Sequence, residues 1–170
     1  MEVLRLIAQE LRNMGQGRVS GVIFFHSIEG ARLTAVDRAN LRIVTKICGE
    51  RFHPHVAFVT TRWDCINSSE YEKLVVRNDN IEEERKKLLP GGPAIFKFLN
   101  DGKSHRPVLE YFAQLVKTGT AAPPLQFVEE LEWYYKRWMS TKTAVRKTEA
   151  GKAIKAPARK VGGWSYCTFL

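Results

Sequence analysis

The sequence predicts an α/β domain built on a parallel sheet, on the strength of two observations. Short apolar segments rich in β-branched and aromatic residues alternate with segments of helical period, in the order helix, strand, helix, strand, helix, strand, helix. The first two strand segments are apolar on both faces, as strands covered above and below must be. A chain of 170 residues, 44% of them hydrophobic, is long enough to bury one such core.

Leu4, Ile7, Ala8 and Leu11 recur at the spacing of one helix face, and Gly15 and Gly17 stop that helix. The run Val19-Ser20-Gly21-Val22-Ile23-Phe24-Phe25 reads as a buried strand. Thr34, with Asp37 at the third helical position, has the form of a capping box, in which each residue's side chain accepts from the other's backbone N–H. The helix it opens carries Leu41, Val44, Ile47 and Cys48 as its buried stripe and ends at Gly49. Residues Val56 to Thr61 form a second buried strand. Glu82, Glu83, Lys86 and Lys87 place opposite charges four residues apart, which suits a solvated helix. Pro90-Gly91-Gly92-Pro93 breaks the chain before a short third strand, Ala94 to Phe98. Two more helices follow. One starts near Pro107 with Val108, Leu109, Phe112 and Leu115 on one side; the other starts near Pro124 with Leu125, Val128, Leu131, Tyr135 and Trp138.

Beyond Ser140 the chain is Lys, Ala, Thr and Gly with little to bury, so residues 140–170 are expected to be a disordered basic tail behind a domain at 1–139. From Lys136 onward there are nine Lys/Arg and one acid, whereas the body is nearly neutral. The formal charge of +9 therefore belongs to the tail, and nucleic acid is not an expected partner of the body. Three cysteines without CxxC spacing argue against a zinc site or a disulfide framework and fit a reducing compartment. No apolar run is long enough to span a bilayer and the N-terminus does not read as a signal peptide, so a cytoplasmic location is expected.

The most apolar strand comes first in the chain, although a strand buried on both faces belongs in the middle of its sheet. With three strands expected, the one from Val19 to Phe25 is left with an open edge. That edge is expected to pair with a second copy or a related chain by strand addition.

The segment Val59-Thr60-Thr61-Arg62-Trp63-Asp64 is a buried strand ending in Thr-x-x-Asp form. Guanine presents two hydrogen-bond donors to a carboxylate where adenine does not, so a loop aspartate at such a strand end can select it. Together with Ser20-Gly21-Val22-Ile23-Phe24-Phe25-His26 and Leu41-Arg42-Ile43-Val44-Thr45-Lys46-Ile47-Cys48-Gly49, this segment resembles fungal G-domain-containing proteins. These belong to the P-loop GTPase class and are distantly similar to septins and immunity-associated GTPases. The resemblance covers roughly residues 3–138. It implies that the three strands are the last three of a GTPase sheet, with Thr60, Thr61 and Asp64 as guanine-site candidates and Phe98 to Ser104 where the last guanine-side loop lies.

Members of that class bind GTP or GDP with Mg²⁺ through Gly-x-x-x-x-Gly-Lys-Ser/Thr, and no such motif occurs in these 170 residues. Gly102-Lys103-Ser104 resembles its end, but Lys97 stands where its first glycine belongs, so the segment reads as a polar turn. The resemblance thus implies the C-terminal part of a GTPase domain without phosphate-loop and switch regions. Such a chain is expected to hold no cofactor or metal by itself and to lack independent GTP hydrolysis.

Other candidates have plainer readings beside the functional ones. Asp64 is equally suited to cap a short helix. His53-Pro54-His55 reads as a surface loop rather than a metal ligand pair. His26 reads as a hydrogen-bonded histidine at a strand end, and Cys48 as packing. Cys167-Thr168-Phe169-Leu170 fits a C-terminal prenylation pattern behind Lys152, Lys155, Arg159 and Lys160. Cys167 is therefore a candidate lipid site and the tail a candidate contact with an anionic membrane, against the alternative of an unmodified basic tail.

Overall fold

The computed structural model describes residues 2–14, 19–29, 33–65, 70–92, 95–137, 139–155 and 166–169. Its centre is a sheet of strand order β3-β2-β1-β4. β1 (Val22–Ser27), β2 (Val56–Thr61) and β3 (Ile95–Lys97) run parallel. Val22 pairs with Val56 and Ser27 with Thr61 at the two ends of the central pair. β4 (Tyr166–Phe169) runs antiparallel along the other edge of β1, with Val22 opposite Phe169 and Phe25 opposite Tyr166.

Alternation along the strands sends their side chains to two unequal layers. Val22 and Phe24 of β1 and Val56 and Phe58 of β2 share a core with α2 (Ala35–Cys48) and α3 (Tyr71–Leu88). The Phe24 and Phe58 rings lie 5.2 Å apart there. Ile23, Ala57 and Val59 meet α4 (Arg106–Lys117) through Val108 and Phe112 on the opposite face. Both crossovers between parallel strands thus lie on one face, as right-handed connections to successive neighbours require. Gly21 lets α4 approach the sheet, because a Cβ there would stand 2.3 Å from the Phe112 ring.

An outer layer covers α2. α5 (Gln126–Tyr135) and α7 (Glu149–Lys155) pack on it, while α1 (Glu2–Asn13) and α6 (Thr141–Lys147) pack on α5 and on each other. The capping box at Thr34 is formed: its hydroxyl accepts from Asp37 N–H at 3.1 Å, and Asp37 accepts from Thr34 N–H at 2.9 Å. Gly49 ends α2 at φ 77°, a conformation that favours glycine.

Four expectations need correction. The stretch from 140, expected to be disordered, is helical and packed as far as Lys155, with Ala144, Val145, Thr148 and Ala150 buried. Small residues bury area there by close approach rather than by bulk, which a search for apolar periodicity misses. Thr148 ties the two helices, its hydroxyl donating to Val145 O at 2.7 Å and accepting from Gly151 N–H at 3.0 Å. Residues 156–165 lie outside the described ones. Second, the β1 edge expected to be open is paired with β4 over Val22 to Phe25. Third, α3 is not simply solvated: Leu74, Ile81 and Arg85 are buried, and Glu82 turns inward to accept from Ile95 N–H at 3.2 Å. Fourth, Leu109 is half exposed, so the buried side of α4 runs through Val108 and Phe112.

A Cβ on Gly151 would stand 1.9 Å from the Val145 carbonyl oxygen, a backbone atom that cannot step aside. Gly151→Ala is therefore expected to cost about 1–3 kcal/mol of stability by overpacking. Thermal denaturation reads this directly, and a melting temperature equal to wild type would mean that α6 and α7 are not docked.

Candidate functional site

In a parallel α/β sheet the loops at the carboxyl ends of the strands gather on one edge, where ligands ordinarily bind. Here that edge joins Ser27 at the end of β1 and Glu29 after it, the 62–64 segment after β2, and residues 98–104 after β3. The chain leaves β2 through Arg62, held at φ 65°, and enters a single 3-10 turn, Trp63–Cys65. This left-handed step is uncommon for a residue with a Cβ.

Trp63 is the anchor of the loop. It is buried, and its indole N–H donates to both the carbonyl and the hydroxyl oxygen of Thr60, at 3.2 and 3.1 Å. The Thr60 hydroxyl in turn donates toward Asn78 Oδ1 at 3.1 Å and Phe96 O at 3.3 Å. Lys97 Nζ lies 4.6 Å from the centre of the Trp63 ring, in cation–π range. Glu29 closes the loop from the β1 side, ion-paired to Arg62 at 2.7 Å. The Arg62 hydrogen bond, with a second from Ser27, holds the Glu29 carboxyl below its ordinary range.

The three guanine-site candidates therefore separate. Thr60 is fully buried with its hydroxyl engaged inside the protein, so it braces the loop rather than facing solvent. Thr61 is half-buried and its hydroxyl donates to His26 O at 3.4 Å. Asp64 is exposed within the 3-10 turn. Residues 98–104 close on themselves. Asp101 accepts from the backbone N–H groups of Lys103 and Ser104 at 2.9 and 2.8 Å, and Ser104 Oγ accepts from Leu99 N–H. Those bonds, Lys103 first, pull the Asp101 carboxyl down to about 2. The Gly102-Lys103-Ser104 segment is thus a turn whose backbone donors serve its own aspartate.

Sequence reading missed the buried pair at the end of β1. His26 Nδ1 lies 3.7 Å from Asp37 Oδ1 in the first turn of α2, while His26 Nε2 is buried without a hydrogen-bond partner among the described residues. Burial pushes the His26 pKa below its ordinary value, and the Asp37 charge opposes that shift.

His53 and His55 do not form a ligand pair, and the surface loop expected of them is also corrected: both are buried, in the 3-10 segment Glu50–His55. His53 Nδ1 meets Pro90 O at 3.1 Å and His55 Nδ1 meets Ser20 O at 3.2 Å, and the two rings line separate clefts. Among the described residues no group of His, Cys, Asp and Glu is arranged to hold a metal ion, and no helix is long and apolar enough to cross a membrane. Cys48 is buried, as expected. Cys167, the candidate lipid site, lies in β4 at the register position opposite Phe24 of β1. Comparison of the chain with protein-family models, with curated proteins and with solved structures found no match.

Two outcomes are expected from this geometry. Thr60→Val keeps the shape of the side chain but leaves Asn78 Oδ1 without its donor in a buried position, at a cost of about 1–3 kcal/mol measurable by denaturant unfolding. For His26, the unfolded chain takes up a proton near pH 6.5 while the folded chain resists it. Its contribution is therefore complete above that pH and declines as the pH falls from there toward the lowered folded value. A His26→Phe variant is expected to show a flatter loss of melting temperature below pH 6.5 than wild type, and parallel profiles would contradict the assignment.

Proposed function

We propose that this chain is a GTPase-like α/β domain that carries the guanine-side half of a nucleotide site without the phosphate-binding half. One observation carries the reading: the Thr-x-x-Asp segment sits on the carboxyl edge of the middle parallel strand, with Asp64 exposed. The connectivity agrees with it. Three parallel strands follow one another with α2 and α3 on one face and α4 on the other, as the last three strands of a doubly wound sheet would be arranged. In this reading β1, β2 and β3 correspond to the fourth, fifth and sixth strands of the GTPase sheet.

Asp64 is the residue assigned to the guanine edge, and Thr61 the residue beside it. Thr60, Trp63 and Asn78 act behind them by fixing the loop. With no Gly-x-x-x-x-Gly-Lys-Ser/Thr in the 170 residues, GTP hydrolysis is not expected and guanine binding should be weak and independent of Mg²⁺. Strand addition to a second copy, the other function expected from the sequence, has less support because β4 already holds that edge.

Titration with a fluorescent GDP analogue, with and without Mg²⁺ and with GDP or ADP as competitor, tests the proposal. Saturable binding displaced by GDP but not ADP is the expected result. Asp64→Ala should weaken it about tenfold or more, the loss of one or two charge-assisted hydrogen bonds at about 1.5–3 kcal/mol each. Equal competition by ADP, or no binding at all, would remove the guanine assignment.

A further inference from the structure

The two faces of the sheet are covered unequally. α2 and α3 lie on one face with α1, α5, α6 and α7 outside α2, whereas on the other face α4 is the one helix, among the described residues, that joins the core. Val108 and Phe112 turn α4 toward the sheet, so its opposite side meets solvent. That outer side carries an apolar stripe. Leu109 is 52% and Val116 68% exposed, and Ala113, also exposed, stands between them. A step of four residues and then one of three places all three on one line, the spacing of a seam between two helices.

The charges beside the stripe indicate what fits it. Glu110 and Lys117 are exposed on its border, and neither makes an ion pair among the described residues. Seven positions separate Leu109 from Val116 and seven separate Glu110 from Lys117, with Ala113 close to the middle of both pairs. A pattern centred in this way is its own complement. When a second α4 is laid antiparallel about a twofold axis at Ala113, Leu109 of each copy meets Val116 of the other, and Glu110 of each meets Lys117 of the other. In a parallel pair Glu110 would meet Glu110 and Lys117 would meet Lys117, and like charges oppose such pairing. Ala113 presents only a methyl group at the axis, so nothing holds the two helices apart there.

We propose that α4 is an interface between two copies of this chain, packed antiparallel about Ala113. Leu109 and Val116 form its apolar half, and the reciprocal Glu110 and Lys117 pairs its charged half. The contact uses one helix of 12 residues from each copy. An interface confined to so short a helix falls below the roughly 1,200–2,000 Å² of stable complexes, so the dimer is weak and reversible, half-formed at about 10–500 µM. It involves neither β4 nor the Asp64 loop, and so stands apart from strand addition and from the guanine reading.

Sedimentation velocity of the full chain over about 5–500 µM tests this. A sedimentation coefficient that climbs with concentration toward the dimer value is expected. Leu109→Gln and Val116→Gln change exposed side chains and should together weaken association about tenfold or more, with the circular dichroism spectrum unchanged. Glu110→Lys alone, or Lys117→Glu alone, sets like charges opposite one another and should also weaken it, by about tenfold. Combining Glu110→Lys with Lys117→Glu exchanges the two signs and should bring association back near the wild-type level. Nearly two helical turns separate the two positions, too far for them to pair within one α4, so this recovery reports contact with a second copy. A monomer at every concentration, a dimer indifferent to the Leu109 and Val116 changes, or a charge exchange that restores nothing would overturn the proposal.

Discussion

A strand that is apolar on both faces has to be shielded above, below and along both edges, and β1 imposes that requirement on the rest of this chain. Val22, Ile23 and Phe24 are buried toward opposite faces of the sheet. Each such side chain contributes about 1.5–3 kcal/mol when removed from water, provided that something covers it. α2 and α3 cover one face and α4 the other, while β2 and β4 satisfy the backbone groups along the two edges. Tyr111 ties the far side together by donating to Pro54 O at 2.6 Å, joining α4 to the segment that precedes β2. Burial raises the pKa of that phenol, so it remains a donor across the neutral range.

The sequence was legible where burial is achieved by bulk. β2 occupies the predicted residues, and α2 has both its capping box and its glycine stop where the residues placed them. It was not legible where burial is achieved by close approach. α6 and α7 contribute alanine, threonine and glycine, and the contact between Gly151 and the Val145 carbonyl works because a side chain is missing. Charge misled in the same region. Lys142, Arg146, Lys147 and Lys152 dominate the composition, yet a helix two turns long can point its long basic residues outward and still dock on its small ones. The open edge of β1 was a sound inference from three strands, and a fourth strand far along the chain removes its premise.

The candidate site was half legible for a related reason. A Thr-x-x-Asp pattern cannot tell a threonine that faces a ligand from one that faces the core. In this chain the difference is made by Asn78 and Trp63, residues that no motif marks, and they turn the Thr60 hydroxyl into a brace for the loop. Asp64 is exposed in the 3-10 turn that follows Arg62, whose backbone is left-handed. The pattern is therefore split into a structural half and a surface half, and only Thr61 and Asp64 belong to the second.

The two ends of the sheet differ in how their polar groups are satisfied. At the carboxyl end, Asp101 is served by its own turn, Glu29 by Arg62 and Ser27, and Thr60 by Asn78, so that edge is largely self-contained before any ligand arrives. At the amino end, α5 begins without a side-chain cap and His53 keeps a buried nitrogen with no hydrogen-bond partner among the described residues. Under the proposed guanine reading, binding at the carboxyl edge depends on how well Asp64 is aimed, and the hydrogen bonds that join Thr60, Trp63 and Asn78 form the brace behind it.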